Sequence, residues 1–311
     1  MRILKGSNAA DFSVKASPSI TVFAPAKLNL SLAVTGRRAD GFHDLVSLVA
    51  PLDLGDALRL EPDPGASGDT LACTAPGVPV DASNLVLRAA AAWRAAGGAA
   101  PPVRFELRKR TPAGAGLGGG SSDAVAALRG LQQLAGRPLP EAALAAVTAG
   151  LGSDCPLFLA GAPVILRGRG ERIEILDTVA RTRLTGRTVL VCKPSFGVDT
   201  PWAYGRLAAG APAAYRPAAE AEAALAAWRS GGVELAAILG NSFTPVVWGK
   251  FAALPALAAR LLARCGLVLH LTGSGSAGFA LPEPGQDLGP AQAEIRDAWG
   301  PDAFAVEARL G

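Results

Sequence analysis

The segment Thr111-Pro-Ala-Gly-Ala-Gly-Leu-Gly-Gly-Gly-Ser-Ser-Asp123 packs five glycines into the seven positions from Gly114 to Gly120. Glycine costs a chain entropy and carries no side chain. A run this dense suits a backbone that must come close to a ligand and aim several N–H groups at it. Ser121, Ser122 and Asp123 are N-cap residue types, and the Ala-Val-Ala-Ala-Leu-Arg-Gly-Leu that follows is helical in pattern. A glycine loop feeding a helix offers free N–H groups and the positive end of the helix dipole to an anion, phosphate above all. The competing reading, a flexible turn with an ordinary cap, needs fewer glycines.

The loop is neither of the two commonest phosphate loops. A Walker A loop ends in Gly-Lys-Ser/Thr, whereas Gly120 is followed directly by Ser121. Gly114, Gly116 and Gly119 do fit G-x-G-x-x-G, as in an NAD-dependent oxidoreductase. The preceding Val103-Arg-Phe-Glu-Leu-Arg-Lys-Arg110, however, alternates apolar and charged residues like an antiparallel strand with one wet face. About 20 residues on, where a ribose-binding acid should end a second strand, stands the helix-to-helix turn Leu134-Ala-Gly-Arg-Pro-Leu-Pro140. A nucleotide-phosphate cradle of a third kind is what remains.

Other chemistry-bearing residues stand apart from this loop. In Pro25-Ala-Lys-Leu-Asn-Leu-Ser-Leu-Ala-Val34, Lys27 and Asn29 fall on one face of a strand whose other face is apolar. A lysine there either reaches solvent or serves a site. Phe42 and His43 follow the turn Gly36-Arg-Arg-Ala-Asp-Gly41, as a pair able to stack on and hydrogen-bond a base, or as a surface histidine beside a half-buried Phe. Asp154, after Gly152, precedes an apolar segment and by itself reads first as a helix N-cap. A second glycine loop, Gly273-Ser-Gly-Ser-Ala-Gly278, sits between two strands.

The elements that must position these residues alternate strands with segregated helices. Strands are expected at 20–24, 25–34, 45–52 and 103–110, with a turn then a strand over 53–61. Further strands are expected at 163–166, 171–176, 187–193, 267–272, 279–281 and 303–308. Helices are expected at 84–97, after Ser121, at 140–149 (stopped by Gly150), 218–230, 233–239, 255–264 and 289–298. Residues 1–18 are mixed polar without period, a loose extension. The pattern is α+β, two domains with a cleft between, and the boundary falls at the Arg167-Gly-Arg-Gly170 turn.

Composition narrows the function classes. The net charge of +4 is scattered, and only 5% of residues are aromatic, which disfavours an RNA-binding module. The one basic cluster, Arg108-Lys109-Arg110, directly precedes the glycine loop and suits a polyphosphate. Four widely spaced cysteines and two histidines give no metal-binding pattern and read as reduced thiols in a cytoplasmic protein. No apolar run approaches the roughly 18 residues that span a bilayer, and the N-terminus has no signal-peptide pattern. No nucleic-acid or membrane partner is expected, and the chain is expected to be a monomer or weak homodimer.

Pro25-Ala-Lys-Leu-Asn-Leu30, Pro112 to Ser122, and Thr272-Gly-Ser-Gly-Ser-Ala-Gly-Phe-Ala280, in this order and spacing, resemble the three signature motifs of the GHMP kinases. Arg38-Ala-Asp-Gly-Phe-His43 and Gly152-Ser-Asp-Cys-Pro-Leu-Phe158 are similar to further segments of one branch of that family. That branch phosphorylates a cytidine-diphosphate-linked methylerythritol in the non-mevalonate route to isoprenoid precursors. The resemblance covers about residues 20 to 281. It implies a GHMP kinase fold with an N-terminal ATP-binding domain at 19–166, a C-terminal α/β-sandwich domain at 167–311 and the active site between them. It implies ATP and Mg²⁺ as cofactors and the substrate's 2-hydroxyl as the acceptor.

The resemblance also implies roles. Asp154 is the base for the hydroxyl proton, with Lys27 beside it keeping the carboxylate ionised and balancing charge on the transferring phosphoryl group. Pro112, Ala113, Gly114, Ala115, Gly116, Leu117, Gly118, Gly119, Gly120, Ser121 and Ser122 cradle the ATP phosphates, and Asn84 stands where the family contacts adenine. Ser121 or Ser122 lies near the metal, although no acidic metal ligand stands out. Phe42 and Tyr204 sandwich cytosine, His43 reads its polar edge, and Asn29 helps hold the methylerythritol end. The loop of Gly273, Ser274 and Gly275 closes over substrate phosphates. The chain departs from the family pattern at Phe42 (commonly Tyr), at Ser153 (commonly Ala), and at Ser242 and Thr244, where acids are usual. A mevalonate, homoserine or sugar kinase, or a non-catalytic sensor, remains the alternative. A small non-nucleotide substrate needs no base-stacking aromatic, and a sensor needs neither Lys27 nor Asp154.

Overall fold

The computed structural model describes residues 19–311, so the extension expected at 1–18 lies outside the described residues. In chain order the first half runs β1 (Ile20–Arg37), β2 (His43–Pro62), β3 (Thr70–Cys73), α1 (Leu85–Ala95), β4 (Val103–Arg108), α2 (Gly119–Leu134), α3 (Glu141–Leu151), α4 (Cys155–Ala160), β5 (Val164–Gly168) and β6 (Arg172–Ile175). The second runs α5 (Thr178–Thr182), β7 (Thr188–Lys193), α6 (Thr200–Ala209), α7 (Ala218–Arg229), a 3₁₀ turn at Leu235–Ile238 and β8 (Gly240–Asn241). It continues through α8 (Thr244–Lys250), α9 (Ala253–Cys265), β9 (His270–Leu271), β10 (Gly278–Ala280) and α10 (Gly289–Trp299) to β11 (Phe304–Arg309). Two sheets carry the helices, the α+β arrangement expected. One has the order β3-β4-β2-β1-β8, with β5 on the other half of β2 and β6 outside it; the other is β11-β7-β10-β9.

β1 and β2 are longer than the sequence pattern predicts. No turn separates Ala24 from Pro25 or falls at Asp53–Asp56, because the antiparallel ladder runs through both, with register shifts at Pro25/Lys27, Asn29/Ser31 and Val34/Gly36. Gly55, which reads as a turn residue, is a close-approach residue: a Cβ there would lie 2.3 Å from the Ala24 carbonyl oxygen of the facing strand. The turn expected at Gly36–Gly41 shrinks to Arg38–Phe42, where the Asp40 carboxylate accepts from the Phe42 N–H at 3.1 Å. Five short elements were not legible in the pattern: β3, α4, α5, β8 and α8. The strand expected at 267–272 is only His270–Leu271, and Gly150 does not stop α3, which ends at Leu151.

Three cores hold the layers. α1 and α2 cover one face of the first sheet around Phe105, Leu58, Leu60, Trp93 and Leu128. The opposite face of β1, through Leu28 and Leu30, packs with Val191, Phe279, Leu225 and Trp228 of the second half. α9 and α10 close the far side of the second sheet over Leu190, Leu261 and Ile295. The C-terminus is also stitched to β2, with the Gly311 N–H donating to the Pro51 carbonyl at 2.9 Å and the Arg309 N–H to Asp53 at 2.7 Å. Because β5 pairs with β2 and β6 with β5, the first sheet extends past residue 166 to Ile175. Among the described residues no single helix is long and apolar enough to cross a membrane.

Phe105 is fully buried between the sheet and the two helices. Phe105→Ala should lower the unfolding free energy by about 3–5 kcal/mol, read as a shifted urea midpoint at unchanged slope. A loss below about 1 kcal/mol would mean that the site collapses around the missing ring.

Candidate active site

The glycine loop leaves β4 and enters α2 by a route only glycine takes easily. Gly114, Gly116 and Gly118 have φ of 62°, 78° and 73°, in the left-handed region. Gly118 is the N-cap and no side chain caps the helix, so α2 starts at Gly119. Ser121, Ser122 and Asp123 therefore lie within the helix rather than at its cap, a correction to the expected boundary. The uncapped N-terminus leaves its first N–H groups open to an anion. Ala115 and Leu117 turn their side chains into the core, so they can meet a ligand only through their backbone. The hydroxyl of Ser122 is buried without a hydrogen-bond partner.

The two glycine loops lie back to back. A Cβ on Gly116 would sit 2.7 Å from the Thr272 carbonyl oxygen, and one on Gly273 would sit 2.9 Å from the Gly116 oxygen. The Ala277 N–H donates to the Ala115 carbonyl at 3.1 Å, and the Lys27 N–H to the Leu117 carbonyl at 3.0 Å. Asn241 braces the second loop by donating to the carbonyls of Leu271 and Gly273 at 3.0 and 2.8 Å. Beside it, Ser242 accepts from the Val34 N–H at 3.0 Å, and Thr244 begins α8; these hydroxyls stand where the family pattern has acids.

Lys27 and Asp154 meet at this junction. The Lys27 Nζ lies 3.9 Å from the Asp154 carboxylate. Asp154 occupies the N-cap position of α4, yet its side chain makes no capping bond, which leaves the carboxylate free toward the lysine. Arg129 of α2 holds the other end of α4, donating to the carbonyls of Phe158 and Leu159 at 2.9 and 3.2 Å. Lys27 does not reach solvent: it is 4% exposed, and burial lowers its pKa, with Asp154 opposing that shift. It donates to the Asn29 side-chain oxygen, while the Asn29 amide donates to Ser47 at 2.9 Å and Ser47 to the Ser31 carbonyl at 2.6 Å. Asn29 thus lines the cleft with both ends of its amide engaged, and it orients the lysine.

These groups open into a cleft of about 940 Å³. Lys27, Asn29, Gly116, Ser153 and Asp154 line it together with Phe42, His43, Tyr204, Gly273 and Ser274. The His43 and Tyr204 rings lie 4.9 Å apart at a tilt of 31°, and the His43 Nε2 is buried without a partner. Burial, and then Arg37, depress the His43 pKa, so the ring is neutral with one nitrogen unused. Burial and the Asp154 charge push the Tyr204 phenol up to about 12, so it stays un-ionised. Phe42 is 54% exposed, with the Arg169 guanidinium 4.6 Å over its ring. Ser274 and Thr200 share a hydrogen bond of 2.8 Å between the second loop and α6.

Of the loop from Pro112 to Ser122 only Gly116 lines the cleft, and Asn84 and Gly275 also stand off it. Asn84 is the N-cap of α1: its side-chain oxygen accepts from the Val86 N–H at 2.9 Å and its amide donates to the Pro79 carbonyl at 2.6 Å. Gly275 packs inward against Leu271 and Val198. Nor is the basic cluster free for a polyphosphate. Lys109 is held between Asp56 and Asp123, and Arg108 pairs with Glu106, while Arg110 stays exposed. Sequence reasoning missed Arg37 and Arg169, which also line the cleft, although each lies beside a glycine turn it had singled out.

Comparisons with known proteins agree with this geometry. Residues 84–162 match the family model of the GHMP kinases N terminal domain. A 4-diphosphocytidyl-2-C-methyl-D-erythritol kinase of Rhizobium johnstonii is 39% identical over 293 residues, 90% of this chain and 89% of the relative. One of Pelotomaculum thermopropionicum is 38% identical over 263 residues, 84% of this chain and 88% of the relative. The crystal structure of a 4-(cytidine 5'-diphospho)-2C-methyl-D-erythritol kinase superposes with a TM-score of 0.73 at 35% identity, covering 94% of this chain and all of that one. The Methanococcus jannaschii mevalonate kinase, at 11% identity and a TM-score of 0.67 over 96% of this chain and 99% of its own, shares the fold. The fold and the paired glycine loops are those of a GHMP kinase. Within that class, the chain belongs to the family of 4-diphosphocytidyl-2-C-methyl-D-erythritol kinases.

Asn84→Ala should lower stability by about 1 kcal/mol through loss of the cap, whereas Asn84→Ser, which keeps an acceptor, should lose a few tenths at most. Thermal unfolding of the two variants beside the wild type is the measurement. Equal losses in both would remove the capping role.

Proposed function

We propose that this chain transfers the γ-phosphoryl group of ATP to the 2-hydroxyl of 4-diphosphocytidyl-2-C-methyl-D-erythritol, a step in isoprenoid precursor synthesis. The observation that carries the reading is the uncapped Asp154 carboxylate 3.9 Å from the buried Lys27 ammonium, between the open N-terminus of α2 and the His43–Tyr204 pair. Asp154 takes the proton as the hydroxyl oxygen attacks the γ-phosphorus, while the bond from that phosphorus to the ADP oxygen breaks. Lys27, oriented by Asn29, stands beside the carboxylate and offsets charge on the transferring group. The loop from Pro112 to Ser122 presents backbone N–H groups to the phosphates, and Asn84 fixes the start of α1 beside it. Transfer of this kind needs positioning and electrostatics rather than a covalent protein intermediate.

Among the described residues no cluster of three His, Cys, Asp or Glu forms a metal site of its own. The Ser122 hydroxyl, buried without a partner in the first turn of α2, is an oxygen donor of the kind that would suit a magnesium ion arriving with the nucleotide. Such an ion would supply charge neutralisation at the phosphates. At the far side, Phe42 and Tyr204 offer faces for cytosine, and the unused His43 nitrogen offers an edge contact. These groups favour the cytidylyl substrate over mevalonate, homoserine or a sugar. With the reading goes a cytoplasmic enzyme of small molecules, monomeric or a weak homodimer, in two domains on either side of the cleft.

ADP release from Mg-ATP should occur with 4-diphosphocytidyl-methylerythritol and not with mevalonate, homoserine or galactose. Asp154→Asn should lower kcat by about 10²–10⁴-fold. Turnover on one of the other acceptors alone would discard the cytosine-binding argument, and silence with all four would point to a ligand sensor. His43 gives a pH test. Its lowered pKa keeps the ring neutral down through the ordinary imidazole range near pH 6.5, so KM for the cytidylyl substrate should hold at neutral pH. It should rise only as the pH falls below that range, with KM for ATP unmoved. A His43→Gln variant retaining the same acid limb would clear His43 of that role.

A further inference from the structure

Beneath the glycine loop lies a buried ionic cluster that the chemistry above does not use. Asp56 of β2 is 0% exposed. One of its oxygens accepts from the backbone N–H groups of Arg110 and Thr111, at 2.6 and 2.7 Å, the last two residues before Pro112 opens the loop. Its other oxygen accepts from the Lys109 ammonium. The same ammonium donates to Asp123 of α2 at 2.7 Å. One carboxylate and one lysine therefore tie together the end of β4, the entrance of the loop and the first part of the helix that the loop feeds.

The contact with the loop is direct. A Cβ on Gly119, the first residue of α2, would lie 3.2 Å from the Lys109 Nζ and 3.1 Å from the Thr111 side chain. Two carboxylates and one ammonium, all ionised, would put net negative charge under a phosphate site. Asp123 relieves this: burial pushes its carboxyl up to about 7 against the pull of Lys109, and its second oxygen is buried without a partner. An apolar trio of the same volume would join strand to helix without the desolvation of three charged groups. It could not accept the N–H groups of Arg110 and Thr111, which would be left buried and unpaired.

We propose that Asp56 is a positioning residue for the reaction: holding the Arg110 and Thr111 N–H groups directly and reaching Asp123 through Lys109, it sets the span between loop entrance and helix start, so that the loop's N–H groups converge on the nucleotide phosphates. The proposal rests on the kinase reading above. Asp56 touches no substrate, and its effect should be confined to the nucleotide.

The test measures ADP binding by titration calorimetry, and KM for both substrates, in the full chain carrying Asp56→Ala, Asp56→Asn or Lys109→Met. The expected result for Asp56→Ala is an ADP dissociation constant and an ATP KM raised about tenfold or more, with KM for the cytidylyl substrate within about twofold of wild type. Asp56→Asn keeps an acceptor for the two N–H groups and should recover most of the affinity. Lys109→Met, which leaves those N–H groups bonded to Asp56, should show the same split more weakly. It also carries the test if Asp56→Ala does not fold. Folded variants that bind ADP like the wild type, or that lose both substrates equally, would overturn the proposal while leaving the kinase reading intact. A wild-type protein that binds neither ATP nor ADP would remove both.

Discussion

Two backbones touch where Gly116 passes Thr272 and Gly273, and neither glycine could carry a side chain at that crossing. The contact joins the glycine loop that leads into α2 to the one that leads into β10. From it the other restraints follow in sequence. Leu117 accepts from the Lys27 N–H, Ala115 from the Ala277 N–H, and Thr272 receives the Asn29 N–H at 2.8 Å. The lysine, the loop and the cleft wall are thereby fixed to one another through two main-chain bonds and one to the Thr272 hydroxyl.

Electrostatics within the cleft are set mainly by burial. Lys27 is desolvated and held by a neutral amide, with its carboxylate partner more exposed, at 42% of its side-chain surface. A fully closed ion pair would put both charges into a poor solvent and lock them together. At a separation of 3.9 Å, with one partner in contact with water, the carboxylate keeps lone pairs for a third group. His43 and Tyr204 are kept uncharged by the same means, so the aromatic side offers faces and edges rather than charge.

The sequence makes the local chemistry legible and leaves the long-range wiring obscure. Glycine density, an uninterrupted polar face at Lys27 and Asn29, and the aromatic–histidine pair are properties of a few adjacent residues, and their types alone announce them. Gly55 and Asp56 read as turn residues because nothing nearby shows that the facing strand leaves no room for a Cβ at Gly55 or that Arg110 and Thr111 arrive at Asp56 from more than 50 positions away. Lys109 reads as one member of a surface cluster for the same reason, since its partners lie 53 positions before it and 14 after it. The start of α2 shifts by a few residues because a left-handed glycine replaces the side-chain cap that Ser121 and Asp123 suggest. Asn84 stands at the predicted start of α1, and its capping role there occupies its amide.

Arg129 gives the arrangement a mechanical property. It clamps the carbonyl end of α4 to α2, and α4 bears Asp154 at its opposite end while α2 bears the phosphate loop. β1 supplies Lys27 from the same half. The groups proposed to handle the proton and the phosphoryl group thus all come from one half of the chain, whereas Tyr204, Gly273 and Ser274 reach the cleft from the other. A scaffold so divided can exchange one alcohol for another by redrawing a single wall, leaving the phosphoryl-handling unit as it stands.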